Sequence, residues 1–239
     1  MERNRKVKTQ ILKTYGLTKD EIKEKLSDII RNNNQLKITI KDKYLDSTID
    51  ISGEIEDTIA VVTRDIMRVL GDHVYAESYQ TLYERLADLL AVRNKKICLF
   101  EQGSGSIITS NLMAIDGAGK YISESLTLPS VDSWLTKFDI NPRILRESSG
   151  LSSKLVFMIA SSLRRKCLAD YYVVAVSSDA YGLEVYNLEN KEQESISLVA
   201  IGDSNGVEIY KQTLSGTPRD KNNQTAKSIC YKLIQELKK

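Results

Sequence analysis

The residues of this sequence that are best suited to binding or catalysis lie in a loop rich in glycine and serine. The loop, Gly103-Ser104-Gly105-Ser106, follows the apolar run Ile97–Phe100, which predicts a buried strand, and precedes apolar residues that suit a helix. At such a junction the unpaired N–H groups and the positive end of the helix can cradle a phosphate or a carboxylate. Because Ile108 stands where a dinucleotide-binding loop has its third glycine, we exclude that class. A turn that only connects the two elements stays the alternative.

Two charged residues outside the loop are candidates for the same site. Asp179 lies beyond the carboxyl end of the predicted strand Tyr171–Val176, where open α/β sheets bind ligands, although capping of the sheet edge explains it equally well. Arg219 ends the segment Ser215–Arg219, just before the predicted last helix, and can meet an anion there. The candidate ligand-binding residues are Glu101, Gln102, Gly103, Ser104, Gly105, Ser106, Asp179 and Arg219.

Most designs that use histidine are excluded, and so is a nucleotide-phosphate loop. The chain has a single histidine, His73, which removes most Ser-His-Asp, Cys-His and histidine-metal designs. The segment Gly117–Lys120 resembles part of a P-loop, but Ala114 replaces the first glycine. In addition, Tyr121 stands where a serine or threonine would hold magnesium.

The cysteines indicate buried thiols in a reducing compartment. Cys98, Cys167 and Cys230 are scattered along the chain without a CxxC pair, a spacing typical of neither a disulfide framework nor a zinc knuckle. We therefore expect no metal and no cofactor.

Composition favours a folded protein without a nucleic-acid or membrane partner. The 239 residues are 41% hydrophobic and 28% charged, and 34 basic against 32 acidic residues leave a net charge of +2. No apolar run approaches the roughly 18 residues of a membrane span, and the N-terminus lacks the apolar core of a secretory signal. We expect a cytoplasmic protein. The basic residues near the start predict a frayed, charged terminus; they are Arg3, Arg5, Lys6, Lys8 and Lys13.

The first segment, residues 1–75, predicts a small α+β domain with the order helix, strand, strand, helix. Thr18 and Glu21 form a capping-box pattern before the first helix, and Gly71 sits where the last helix should end. Between these helices, alternating apolar residues predict two strands over 36–40 and 45–51. The segment has no Gly-x-x-Gly loop and no aromatic stripe of the kind that RNA-binding modules use.

The second segment, residues 76–239, interleaves strands with helices and predicts a three-layer α/β/α sandwich with a mixed sheet. After an initial helix over Ser78–Val92, further helices are expected to start at Ser130, at Asn141-Pro142 and at Ser152. The later strands and the last helix are expected at Tyr171–Val176, Leu183–Leu188, Ile196–Ile201, Val207–Tyr210 and Asn222–Leu237.

These motifs, in this order, resemble the CinA (competence/damage-inducible) family. Thr14–Leu17 is similar to the start of its KH-type middle domain, and Leu70–Glu77 to the end of that domain. Residues from 76 onward resemble its C-terminal domain, whose active members are nicotinamide-nucleotide amidohydrolases. The resemblance implies a homodimer. The family's N-terminal molybdopterin-binding-like domain has no counterpart here, so we expect no pyrophosphatase activity.

The resemblance also implies a catalytically degenerate protein. Active members use a serine nucleophile that a lysine and a tyrosine activate, a design that needs no histidine. Aligned without gaps, these positions are Gly119 for the serine, Trp134 for the lysine and Pro129 for the tyrosine. With no catalytic residue left, we expect a non-catalytic ligand-binding or interaction protein, with weak affinity for a phosphorylated nucleotide.

Two other functions stay open. One is an active nicotinamide mononucleotide (NMN) deamidase whose catalytic residues have moved to Lys120, Tyr121, Ser123 and Ser125. On a predicted strand, however, Tyr121, Ser123 and Ser125 share one face, and Lys120 points away from it. The other is an interaction module whose substrate cleft has become a surface for a protein partner.

Overall fold

The computed structural model describes residues 7–148, 150–185 and 194–239. The chain divides into two compact units, Met1–Arg85 with Lys238, and Leu86–Leu237 with Lys239. The domain boundary expected after Tyr75 stays a prediction. Among the described residues, no helix has both the length and the apolar character needed to cross a membrane.

The first unit is a four-stranded antiparallel sheet with helices packed on it. The strand order is β2-β3-β1-β4, and the core is formed by residues such as Leu12, Ile49 and Ile66. Its elements are β1 Lys8–Tyr15, α1 Lys19–Lys25, α2 Ser27–Asn32, β2 Lys37–Lys43, β3 Asp46–Gly53, α3 Glu56–Leu70 and β4 Val74–Ala76.

The expectation of a frayed basic terminus is wrong for Lys8 and Lys13. Both lie in β1, which pairs with β3 on one side and β4 on the other. Lys13 Nζ lies 3.1 Å from Asp46 Oδ1 and donates to Thr48 Oγ1 at 2.9 Å, so its charge is compensated inside the sheet. The positive charges had masked the strand pattern around the buried Leu12. Arg3, Arg5 and Lys6 lie outside the described residues.

The local signals in the first unit are confirmed with one refinement. Thr18 and Glu21 form the expected capping box, and α3 ends at Gly71, whose φ is +52°. Leu26, expected in the middle of one helix, instead separates α1 from α2 with non-helical backbone angles of −97° and 5°.

The second unit contains a five-stranded mixed sheet of order β6-β5-β7-β8-β9. Strands β6, β5 and β7 are parallel, whereas β8 and β9 run antiparallel to their neighbours, which confirms the expected α/β class. The strands are β5 Ile97–Glu101, β6 Ile122–Leu126, β7 Tyr171–Ser177, β8 Ile196–Gly202 and β9 Val207–Thr213. The helices, including one that begins in the first unit, are α4 Leu82–Val92, α5 Ile107–Met113, α6 Val131–Phe138, α7 Arg143–Glu147, α8 Ser153–Lys166 and α9 Pro218–Lys238.

Strand β5 presents different chemistry on its two faces. Cys98 and Phe100 belong to the core that α6 and α8 build, and the Phe100 ring meets Trp134 edge-on at 5.8 Å between centroids. Glu101 points to the opposite face, because side chains alternate along a strand, and there it meets α5. The carboxyl end of β5 therefore places one acidic side chain directly beneath a helix.

Four predicted boundaries are corrected. Leu183–Val185 forms a 3-10 turn instead of a strand, and 186–188 lie outside the described residues. Helix α9 begins at Pro218, four residues earlier than expected, because Thr217 and Asp220 form a capping box. The helix expected to start at Asn141-Pro142 is α7, which begins at Arg143 with Pro142 as its N-cap. The first helix of the segment starts at Leu82, not at Ser78.

Candidate functional site

Glu101 holds the glycine- and serine-rich loop together. Its side chain is fully buried at the end of β5. One carboxylate oxygen accepts from Ser104 Oγ at 2.8 Å and from the Ile108 N–H at 3.0 Å. The other accepts from the Thr109 N–H at 2.8 Å and from the Thr109 hydroxyl. Four donors thus satisfy a buried negative charge that would otherwise be very costly.

Three further amides of the loop region are bonded within the chain, among them the Gly105 N–H, which donates to the Gln102 carbonyl at 3.4 Å. The Gly103 N–H donates to the Ala175 carbonyl at 2.7 Å, and the Ile107 N–H donates to the Ser104 carbonyl at 3.1 Å. Helix α5 has only seven residues, and Glu101 already supplies the negative charge that its first turn favours. An internal carboxylate therefore accepts from two of the amides at the helix start, where the sequence predicted donors for an external anion.

Gln102 and Gly103 fix the loop against the end of β7. Gln102 Oε1 accepts from the Ser177 N–H at 2.7 Å. A Cβ on Gly103 would lie 3.0 Å from the Ser177 nitrogen and 3.1 Å from the Val176 carbonyl carbon, so no side chain fits there without a backbone shift. The glycine is required by this close approach of two backbones.

The two serines of the loop differ in exposure and in bonding. Ser104 is completely buried, and its hydroxyl donates its hydrogen bond to Glu101. Ser106 has a left-handed φ of +63°, and its hydroxyl lies 2.5 Å from that of Thr127. In both residues the hydroxyl stabilises the local chain.

Asp179 is held by an ion pair that the sequence analysis did not foresee. Its Oδ2 accepts from Lys221 Nζ and from Ser195 Oγ, both at 2.7 Å, and its Oδ1 accepts from Ser178 Oγ at 3.2 Å. Burial alone would raise the pKa of Asp179, but the bonds from Lys221 and Ser195 outweigh it and hold the pKa below its ordinary value. Asp179 is therefore a carboxylate whose charge Lys221 largely balances.

Helix α9 brings Arg219 to the same side of the unit. Arg219 is exposed in the first turn of the helix, one turn before Asn222. The Asn222 amide lies against Gly105, where an added Cβ would come within 2.5 Å of Nδ2. The structure thus brings the loop, Asp179 and the start of α9 together at the carboxyl edge of the parallel strands.

The three positions aligned with the family's serine, tyrosine and lysine do not converge within one chain. Gly119 precedes β6 and Pro129 follows it, so they lie at opposite ends of a strand roughly 17 Å long. Trp134 is fully buried, and its indole N–H donates to the Leu128 carbonyl at 2.8 Å. Glycine, proline and a core tryptophan offer neither a nucleophile nor a base.

The alternative catalytic residues are also engaged elsewhere, and their predicted arrangement is wrong. A bulge at Ser123, where Ile97 pairs with Ile122 but Cys98 with Glu124, turns Ser123 away from Ser125. Ser123 donates to the Leu168 carbonyl at 2.7 Å, whereas the Ser125 hydroxyl lies 2.5 Å from Thr109 Oγ1 on α5.

The other two members of this set lie before the strand. Lys120 ends a 3-10 turn, and its aliphatic chain lies beside Gly117. The hydroxyl of Tyr121 donates to the Leu112 carbonyl at 3.3 Å, and burial raises the pKa of Tyr121, so the phenol stays protonated. Neither residue is bonded to Ser123 or Ser125 in the part of the chain that the structure describes.

Sequence reasoning missed the residues that complete this site. Lys221 was expected in the loop before the last helix. The Thr217/Asp220 capping pattern is the signal that would have placed it inside that helix. Ser195 and Thr109 carry no local signal, because they reach Asp179 and Glu101 only through the fold.

The role of Glu101 leads to a stability prediction. The Glu101→Gln variant places an amide NH₂ where every partner is a donor, so we expect its free energy of unfolding, measured by urea denaturation, to fall by about 1.5–3 kcal/mol. The matched control Glu147→Gln removes an exposed carboxylate 4.0 Å from Lys154 and should change stability by no more than about 0.5 kcal/mol. Equal effects of the two substitutions would contradict the structural role of Glu101.

Comparison with curated proteins finds relatives among the CinA-like and competence-damage inducible proteins. The chain is 23% identical over 170 residues to a CinA-like protein of Dictyoglomus thermophilum, covering 69% of this chain and 41% of that protein. It is 24% identical over 236 residues to a putative competence-damage inducible protein of Halothermothrix orenii, covering 93% of this chain and 54% of that one. The chain thus spans about half the length of the curated relatives it matches. No family model matches it.

Solved structures of the same kind share the fold. A competence or damage-inducible protein from Enterobacter asburiae superposes with a TM-score of 0.57 at 16% identity, covering 66% of this chain and 99% of that one. A CinA superfamily protein from Escherichia coli gives a TM-score of 0.53 at 14% identity, covering 70% and 96% of the two chains. Relatives and structures together support a relationship between this chain and the CinA-like, competence/damage-inducible proteins.

Proposed function

We propose that this protein is a CinA-like protein that binds a ligand or a partner without hydrolysing an amide. The observation that carries this proposal is the bonding of Glu101 and Ser104, the acid and the buried hydroxyl of the candidate loop. The two are bonded to each other in the interior, and Ser104 has no exposed surface that a substrate could reach.

The chemistry of nucleophilic attack supports the same conclusion. A serine becomes reactive when an adjacent base accepts its proton while the oxygen faces the substrate. The Glu101 oxygens are already engaged, because Ile108 and Thr109 donate three hydrogen bonds to them, and the Ser104 oxygen faces the interior instead of a substrate. The pair of Glu101 and Ser104 therefore stabilises the loop instead of activating a nucleophile.

The first unit is proposed to be a KH-type domain, as the resemblance implies. Its order of strand, two helices, two strands and a helix, with an antiparallel sheet, supports this proposal. The junction between α1 and α2 reads Lys25-Leu26-Ser27 and lacks the Gly-x-x-Gly loop with which KH domains clamp a nucleic-acid backbone. We therefore propose a role for this unit other than nucleic-acid binding.

We also propose where the protein is located and how it assembles. Three free, buried thiols favour a reducing compartment, so we propose a cytoplasmic protein. The homodimer stays a proposal that rests on the family resemblance.

The first prediction from this proposal concerns turnover. Purified protein should release no ammonia from nicotinamide mononucleotide above a buffer control, because Gly119, Pro129 and Trp134 supply no catalytic group. Catalytic residues that act as a unit lose most of the rate when one is missing. An active amidohydrolase of the resembled family, assayed in parallel, is the positive control.

Ammonia release would contradict this proposal, and three variants would locate its source. Turnover abolished by Ser123→Ala or by Lys120→Ala would establish relocated catalysis, and turnover abolished by Ser104→Ala would establish a reactive loop. The control Ser110→Ala removes an exposed hydroxyl that donates to the Ile107 carbonyl on α5 and should have no effect on any activity found.

The second prediction concerns weak binding of a phosphorylated nucleotide near Arg219. Millimolar nicotinamide mononucleotide in low salt should raise the melting temperature slightly, and Arg219→Ala should reduce that shift. Asp179→Asn should enlarge the shift, because it removes a repelling charge and releases Lys221 from its ion pair. Added salt should diminish all of these effects.

Asp170→Asn is the matched control, because Asp170 lies before β7 and Asp179 after it. Asp170 bonds Lys95 Nζ and the Lys96 N–H, each at 2.8 Å, at the amino end of that strand. The control should leave the ligand-induced shift unchanged. A ligand-induced rise in melting temperature that Arg219→Ala does not reduce, or the absence of a rise in every variant, would contradict nucleotide binding and favour a protein partner.

A further inference from the structure

Three side chains that could bind a metal ion meet at the other end of the sheet. Cys98 lies in β5, Glu124 in β6, and Cys167 is the C-cap of α8. Their ligand atoms, two sulfurs and a carboxylate oxygen, all lie within 4.8 Å of one another. Cys98 and Glu124 are paired residues on the neighbouring strands β5 and β6, so the register of the sheet fixes the positions of two of the three side chains.

The carboxylate of this cluster is unpaired among the residues that the structure describes. Glu124 is half-buried, and in the described part of the chain it makes neither an ion pair nor a hydrogen bond. Both neighbouring thiols are buried, Cys98 completely and Cys167 with 7% of its surface exposed. A partly buried carboxylate beside two potential thiolates creates a site that favours a cation.

We propose that Cys98, Cys167 and Glu124 bind one zinc ion. Two thiolates select borderline-soft metals, and zinc accepts sulfur and carboxylate oxygen together in a tetrahedral shell. On binding, the two thiols lose their protons to solvent, and three negative ligands face the +2 charge of the ion. A water completes the shell, with Ser123 Oγ, 3.6 Å from Cys167 Sγ, placed to hold it.

The geometry requires only a small contraction. With Zn–S distances of about 2.3 Å, tetrahedral ligands are about 3.8 Å apart, so the cluster must close by about 1 Å at most from its present 4.8 Å. Side-chain rotation at Glu124 and at the C-cap Cys167 can supply this movement. Access from solvent lies along β6, an edge strand, where Ser123 is exposed and Glu124 partly so.

The proposed ion links three elements of the second unit. It ties the edge strand β6 to β5 and to the end of α8, next to the bulge at Ser123, where the β5–β6 register shifts. It lies away from the loop of Glu101, because Cys98 points to the face that α6 and α8 cover. The proposal is therefore independent of the proposed function.

Cobalt titration tests the site directly. The full chain, stripped with a chelator and kept reduced by a non-thiol reductant, should bind one equivalent of Co²⁺ with a thiolate-to-cobalt charge-transfer absorption. One equivalent of Zn²⁺ should then abolish that absorption. The Cys167→Ala variant should lose the absorption, and Glu124→Gln should weaken affinity by at least about 10-fold, the least that an altered metal-site partner usually costs.

Two controls separate this site from adventitious binding. Cys230→Ala removes the third buried thiol, which belongs to α9 and not to the cluster, and should leave cobalt binding unchanged. Glu147→Gln removes an exposed carboxylate and should do the same. Circular dichroism confirms the fold of each variant, and Glu124→Gln, at a partly exposed position, keeps the test valid if a cysteine variant does not fold. No charge-transfer absorption, or an absorption unaltered in Cys167→Ala and Glu124→Gln, would overturn the proposal.

Discussion

The buried carboxylate of Glu101 is the constraint on which the candidate site depends. A charge with no access to water persists only when every lone pair meets a donor, and the loop after β5 is shaped to provide those donors. The turn places Ser104 under the carboxylate and directs the Ile108 and Thr109 amides at it. Gly103 is needed because this path presses the loop against β7.

The same interaction removes the Ile108 and Thr109 amides from the donors that a strand-to-helix loop can offer to an anion. Strand-to-helix loops bind anions when their amides are left open, and here an acidic residue of the same chain has taken those amides. Among the groups that face solvent at this edge are the Asp179–Lys221 pair and Arg219 on α9. These groups suit recognition of a charged partner, and they lie beside a loop whose own hydroxyl and acid are occupied.

Sequence reasoning succeeded where the signal was local. The capping box of Thr18 and Glu21, the end of α3 at Gly71 and the buried strand β5 each depend on residues close in the chain. It failed for β1, where the charge of Lys13 is compensated by Asp46 from another strand. It also failed at Ser123, because a bulge inverts the alternation on which a shared face depends.

The candidate site and the cysteine cluster were hidden for a related reason. The eight predicted ligand residues include those that the fold brings to one edge of the sheet. Whether their polar atoms are free to bind a ligand depends on hydrogen bonds with Thr109, Ser177 and Lys221, which the sequence does not reveal. Cys98, Glu124 and Cys167 lack any recognisable spacing, because a sheet register and a helix end bring them together. Long-range pairing of this kind leaves no trace in a local motif.

The most direct measurement of the central claim is native-state hydrogen exchange at the Ile108 and Thr109 amides. If Glu101 holds both permanently, they should exchange as slowly as the amides of β5 and open only with the second unit as a whole. In the Glu101→Gln variant the protection of the Ile108 and Thr109 amides should fall. The amides of β5 should still exchange only through global unfolding of the second unit. Exchange of these two amides at the rate of an unfolded peptide in the unaltered protein would contradict the account, because the loop would then present open donors.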